Sequence, residues 1–194
     1  IIIANPNAPT SIGESLEFIE DILKHNPDSV VVVDEAYVDF GGESAFPLLE
    51  KYDNLLVVQT FSKSRSMAGM RIGFAFGSER LISAIYAVRN SYNSYTMNYP
   101  SIMCGAEALK DTAYFKACTE KVIATRERVK KELSALGFSF PDSKTNFLFA
   151  THERVPAAEL FAMLREKHIF VRYFKTPRID NYLRITIGTD AQMD

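Results

Sequence analysis

Four consecutive β-branched residues, Val30-Val31-Val32-Val33, run directly into Asp34. Such residues are stiff at χ1 and suit a pleated strand. Without polar alternation, the run predicts a strand covered on both faces, as in the parallel sheet of an α/β fold. Asp34 then stands at the carboxyl end of that strand, the edge where open α/β sheets bind ligands. Other short apolar runs predict strands at 1–4, 55–59 and 72–76. Between the first two runs, Asn5-Pro6-Asn7-Ala8-Pro9-Thr10 must be a loop, because each proline removes a donor and restrains the residue before it. Ser11 and Glu14 have capping-box spacing. Leu16, Ile19 and Leu23 follow at helical spacing, with Phe18 and Ile22 widening the stripe.

The second half has a different rhythm. Helices are predicted at 100–110, 114–136 and 156–167, and strands at 147–150, 169–173 and 182–187. On the long helix, Val122, Val129, Leu133 and Leu136 form one apolar side. Lys121, Arg126, Glu127, Arg128, Lys130, Lys131 and Glu132 read as its solvated face. Alternating strands and helices followed by an α+β module predict two domains, 1–112 and 113–194. The chain opens on Ile1-Ile2-Ile3 with neither Met nor a leader pattern, and it closes soon after Asp190, which resembles a helix N-cap. Both ends therefore read as cut.

Composition excludes several classes. With 22 basic and 24 acidic residues, the net charge of −2 lacks the basic excess of a nucleic-acid binder. No apolar run reaches membrane-spanning length. Cys104 and Cys118 have no CxxC spacing, which argues against a disulfide framework or thiolate zinc site and fits a reduced cytoplasm. His25, His152 and His168 are scattered, so no metal site is expected. Gly69, Gly73 and Gly77 are interrupted by Arg71, against a membrane dimer motif. Tyr86, Tyr92, Tyr95 and Tyr99 read as packing or substrate-loop residues.

The polar residues near strand ends carry the chemistry. Asp34 either caps a turn or meets a cation, because a carboxylate there is costly alone. Tyr37 can offer its hydroxyl to the same site. Lys63 lies just past the strand at 55–59, with Thr60, Ser62 and Arg71 nearby. Hydroxyls and a guanidinium make a phosphate cradle. A desolvated lysine among cations is suited to forming an imine. Arg172 and Arg184 lie in or beside the last two strands, each facing either solvent or a carboxylate.

Five segments together carry a resemblance: Asn5 to Thr10, Asp34-Glu35-Ala36-Tyr37, Thr60-Phe61-Ser62-Lys63, Ala68-Gly69-Met70-Arg71-Ile72-Gly73, and Leu183-Arg184-Ile185-Thr186-Ile187-Gly188-Thr189. In this order they resemble fold-type I aminotransferases that use pyridoxal phosphate, most nearly the histidinol-phosphate branch. The resemblance implies part of a mostly parallel large-domain sheet followed by a small α+β domain. It implies that Lys63 bears the cofactor through an imine and moves a proton, and that Asp34 pairs with the pyridinium nitrogen. Asn5 and Tyr37 would bond the phenolic oxygen, while Thr60, Ser62 and Arg71 would hold the cofactor phosphate. Arg184 would grip the substrate carboxylate, and Arg172 would contact a substrate phosphate. The partners implied are an amino donor, a 2-oxo acid acceptor and a second copy of the chain.

Two positions depart from the branch. Ala8 stands where it usually has Asn, losing a local side-chain bond. Ser11 stands where it usually has Gly, which takes positive φ more cheaply, although Ser11 could cap the next helix. Arg65 has no assignment. Relatives extend further on the amino-terminal side, so this stretch is expected to hold about half the cofactor scaffold and to turn over weakly or not at all. A threonine-phosphate decarboxylase, another amino-acid aminotransferase, the sensing half of a transcription regulator and a non-binding domain remain alternatives at the level of sequence.

Overall fold

The computed structural model describes residues 1–194. Strands β1 (Ile2–Ala4), β2 (Val31–Asp34), β3 (Leu55–Thr60) and β4 (Gly73–Gly77) form one sheet in that order. The first three are parallel, and β4 returns antiparallel beside β3. Ala4, Asp34 and Val58 share one row of the register. Residues one or two beyond it, Asn5, Glu35 and Thr60, therefore emerge at a common edge.

Helix α1 (Leu16–His25) covers one face. Its Ile19 and Leu23 interlock with Val31, Val33, Leu55 and Val57 in a core completed by Ala45 and Leu48. Burying each large aliphatic side chain contributes roughly 1.5–3 kcal/mol. The valine run does alternate in burial: Val31 and Val33 are buried, whereas Val32 and Asp34 are half-buried. The expectation of cover on both faces fails at the β1–β2 end of the second face, where Val32 is only half-buried and Ile2 is 80% exposed.

Ser11 does not cap α1. Ser15 does, its Oγ accepting from Phe18 N at 3.3 Å. Ser11 instead adopts φ 65°, fully buried, with its hydroxyl unpartnered. At the other end Thr189, not Asp190, is the N-cap of the terminal helix α6 (Asp190–Met193).

Helix α2 (Glu79–Tyr92), unpredicted above, follows β4. Its Ile82, Ile85 and Tyr86 spacing was a usable signal. Tyr92 and Tyr95 are over 90% exposed and Tyr99 is 72% exposed, so this tyrosine series does not pack within the chain. Helices α3 (Tyr99–Lys110) and α4 (Thr112–Ala135) lead to the second sheet, β5 (Phe138–Ser139), β6 (Phe147–His152), β8 (Leu183–Thr186) and β7 (Arg172–Tyr173) in spatial order. Helix α5 (Ala157–Glu166) connects β6 to β7. The strand predicted at 169–173 shrinks to its last two residues. Val122, Val129 and Leu133 of α4 pack on Leu148 and Ile187, but Leu136 is exposed beyond the helix end. Arg126 is only 3% exposed, contrary to its predicted place on a solvated face. No helix is long and apolar enough to cross a membrane.

The Ser11 geometry generates a stability prediction. The left-handed region costs a non-glycine residue roughly 1–2 kcal/mol, and an unsatisfied buried hydroxyl costs about 1–3 kcal/mol. Glycine's additional chain entropy takes back roughly 0.5–1 kcal/mol. Ser11→Gly should therefore stabilise the protein by about 1 kcal/mol or more, read as a higher urea midpoint at unchanged slope.

Candidate active site

The row Ala4–Asp34–Val58 gathers most of the sequence-predicted groups at one sheet edge. Asn5 N–H continues the ladder to Asp34 O at 2.9 Å, and Glu35 N–H continues it to Val58 O at 2.8 Å. Asp34 Oδ1 accepts from Ala36 N–H at 3.1 Å, and no cation of the chain pairs with its carboxylate. Thr60 and Ser62 are coupled, Thr60 Oγ1 donating to Ser62 Oγ at 2.9 Å. Because β4 begins opposite Thr60, Arg71 is brought to the same edge. Arg71 is exposed in the left-handed region at φ 56°, its Nη1 donating to Ala68 O at 2.9 Å.

Lys63 rides on a tight loop. Ser66 N–H bonds Lys63 O at 3.1 Å, and Met67 N–H bonds Phe61 O at 3.0 Å. Its exposed ammonium sits 5.5 Å from the Tyr37 ring centroid. Arg65, unassigned above, anchors the loop: its guanidinium stacks 4.0 Å from the Phe115 ring and donates to Ala108 O at 2.7 Å. Ser64 donates to Asp39, tying the loop to the turn after Tyr37.

The second sheet meets this edge through aromatic rings. Tyr37 packs edge-on against Phe147 with centroids 5.2 Å apart. Arg184 lies 5.1 Å from the other contact of that ring set, the Phe147 centroid itself. Thus Lys63, Tyr37, Phe147 and Arg184 form a contiguous series across the two sheets. Arg172 is the direct cross-strand neighbour of Arg184. Like charges placed so are mutually destabilising, and neither has an ion pair; the arginine ion pairs of the chain involve Arg126, Arg128 and Arg154. Arg184 Nε is moreover buried without any partner. An orphaned donor beside a second free guanidinium fits an anion.

One predicted role is partly pre-empted. The Asn5 amide accepts from Glu14 N–H at 2.8 Å and donates to Glu14 O at 3.1 Å. One Nδ2 hydrogen remains for a ligand. Glu35 lies in the Asp34–Tyr37 segment but has no role implied by the resemblance. It is 2% exposed, and its carboxylate accepts from Ala45 N–H at 2.6 Å, Ser44 Oγ at 2.8 Å and Gln59 Nε2 at 2.8 Å. It therefore locks the end of β2 to β3 and to the following loop. An acid directly beside Asp34 but on the opposite face of the strand was the available signal.

An amine, a carboxylate and two guanidiniums without ion pairs thus stand at or near the strand ends of an α/β fold, and strand ends are where open α/β sheets bind ligands. The family model described as aminotransferase class I and II matches residues 1–194. The chain belongs to that family. It is 54% identical over 195 residues to histidinol-phosphate aminotransferase of Brachyspira hyodysenteriae, covering 100% of this chain and 55% of that protein. Among solved structures, histidinol-phosphate aminotransferase from Sinorhizobium meliloti in complex with pyridoxal-5'-phosphate matches with TM-score 0.87 and 26% identity, over 100% of this chain and 54% of that one. L-threonine-O-3-phosphate decarboxylase from Porphyromonas gingivalis matches with TM-score 0.82 and 26% identity, over 99% and 60%. The chain thus spans about half the length of the curated relatives it matches.

The buried Glu35 gives stability a pH dependence. Burial is the main influence and raises its pKa above the ordinary 4.5, against three stabilising hydrogen bonds. The folded state then holds the proton more tightly than the unfolded state. Its stabilising contribution is complete below that ordinary value and is lost as pH rises through the raised one. Urea midpoints measured between pH 4 and 7 should show this loss in wild type, and Glu35→Gln should flatten it.

Proposed function

We propose that this chain carries the lysine-bearing half of a pyridoxal-phosphate-dependent aminotransferase acting on histidinol phosphate, with 2-oxoglutarate as amino acceptor. The observation that supports it most directly is the series Lys63–Tyr37–Phe147–Arg184, which sets an amine opposite an unpartnered guanidinium. The residues present suit the cofactor chemically. Asp34 has no cation of its own and would hold a protonated ring nitrogen. The spare Nδ2 hydrogen of Asn5 and the Tyr37 hydroxyl suit a phenolic oxygen. Thr60, Ser62 and Arg71 suit a phosphate. When bound, the cofactor supplies an electron sink that makes the substrate α-proton removable.

The remaining chemistry belongs to the chain. Lys63 Nζ anchors the cofactor and, once free, moves the proton at the substrate α-carbon. The Tyr37 ring supports that ammonium on one side. Arg184 and Arg172 share an anion pocket between them. Glutamate and 2-oxoglutarate present it with an α-carboxylate. The phosphorylated amino alcohol has no carboxylate and presents its phosphate instead. Two adjacent guanidiniums suit both, which explains why neither is neutralised by an acid of the chain.

This reading brings with it a division into domains 1–112 and 113–194, consistent with the two separate sheets. It also brings a homodimeric cytoplasmic enzyme. The phosphate-specific decarboxylase is the competing chemistry, because it shares this fold.

In the full-length polypeptide loaded with cofactor, Lys63→Ala should abolish the absorbance of lysine-bound cofactor and all turnover. Retained absorbance would remove Lys63 from its role. Arg184→Lys, which loses the bidentate fork, should lower kcat/KM for glutamate about ten- to a hundredfold, matching roughly 1.5–3 kcal/mol for a charged hydrogen-bonding interaction. Histidinol phosphate should drive formation of glutamate from 2-oxoglutarate; release of carbon dioxide from a phosphorylated amino acid without glutamate formation would establish the decarboxylase instead.

A further inference from the structure

Arg126 lies on α4, remote in sequence from the candidate site, yet it is among the most buried charged groups of the chain. A guanidinium at that depth costs several kcal/mol unless its donors are met. Nη1 donates to two main-chain carbonyls, Phe40 O at 2.8 Å and Thr145 O at 2.8 Å. Nε donates to Glu127 Oε1 at 3.0 Å. Nη2 rests against Gly41, whose φ of 107° turns the chain here and whose added Cβ would meet it at 3.8 Å.

The two carbonyls belong to the segments that carry the facing rings. Phe40 closes the 3-10 turn Val38–Phe40 that follows Tyr37, its N–H bonding Tyr37 O at 3.1 Å. Thr145 stands two residues before Phe147; its hydroxyl donates to Phe147 O at 3.0 Å and accepts from Phe147 N–H at 3.3 Å. One nitrogen thereby joins the turn of the first sheet to the strand start of the second. The Tyr37–Phe147 contact is formed where those two segments meet.

We propose that Arg126 is a positioning residue that sets the Tyr37–Phe147 contact and so the placement of Lys63 relative to Arg184. The inference rests on the reading of those two groups as the ones that face the substrate. Because Nη1 grips two backbone carbonyls rather than side chains, it fixes segments and not merely rotamers. Ser64 donating to Asp39 extends the tie from the same turn to the lysine loop. A guanidinium that served stability alone would gain little over an apolar side chain of similar volume, since buried ionic groups are weak net stabilisers. Tethering two carbonyls across a sheet boundary needs a donor with fixed geometry.

The test uses the full-length enzyme with Arg126→Met and Arg126→Lys. Three quantities are read: kcat and KM for the amino donor, the pH midpoint of the lysine-bound cofactor's absorbance, and the Tm of cofactor-free protein in a cycle with Phe147→Leu. Arg126→Met should lower kcat about tenfold or more, with a smaller change in KM. It should move the absorbance midpoint by about half a pH unit, because the surroundings of Lys63 change. Arg126→Lys should recover part of both, and if the methionine variant does not fold, the lysine variant carries the same measurements. In the cycle, the Tm losses of Arg126→Met and Phe147→Leu should not add. A lowered Tm with unchanged kcat and midpoint, or additive losses, would overturn the proposal. Wild type without cofactor absorbance would refute the functional reading while leaving the Tm cycle to judge the tether.

Discussion

Parallel pairing of β1, β2 and β3 places Ala4, Asp34 and Val58 in one hydrogen-bonded row, and the site follows from that alignment. In a parallel sheet every strand ends at the same edge, so each connecting loop begins there. Asn5, Asp34, Tyr37, Thr60, Ser62 and Lys63 come together because each lies within a few residues of such an end. The antiparallel β4 completes the set by starting at this edge and bringing Arg71 to it. A slip of one residue would turn Asp34 into the α1 core and Val33 out of it. The core of Ile19, Leu23, Val31, Val33, Leu55 and Val57 therefore enforces the register that the site needs.

Charges divide into those the fold satisfies and those it leaves open. Glu35 and Arg126 are both nearly inaccessible, and both find three hydrogen-bond acceptors or donors nearby. They hold segments together. Lys63, Arg172 and Arg184 have no ion pair, Asp34 meets only the Ala36 N–H, and Arg184 Nε is orphaned outright. Leaving opposed cationic side chains unneutralised costs stability. That cost is consistent with a site that receives anions.

Much of this was legible along the chain. The strand ends, the lysine loop and the arginine in β8 could be placed from apolar runs and their punctuation, since the signals lie within a few residues of each other. Legibility declined where an outcome depended on a distant neighbour. Ser11 looked like a cap by spacing, but Lys144 N–H bonds its carbonyl and the loop forces it into the left-handed region. Arg126 looked like one of many charges on a solvated helix face, and only the carbonyls of Phe40 and Thr145, far away in sequence, explain its burial. The valine run looked covered on both sides because periodicity reports the strand's own pattern, not which layers are present.

The order of the amino acids by itself determined the α/β character, the strand-end chemistry and the family, because these depend on local propensity and on side chains a short distance from a strand terminus. Only the tertiary structure decided that Tyr37 meets Phe147, that Arg184 and Arg172 stand side by side without an acid between them, and that Arg126 joins the two sheets. Those are contacts between segments that chain connectivity leaves independent, and packing alone chooses among the ways they could meet.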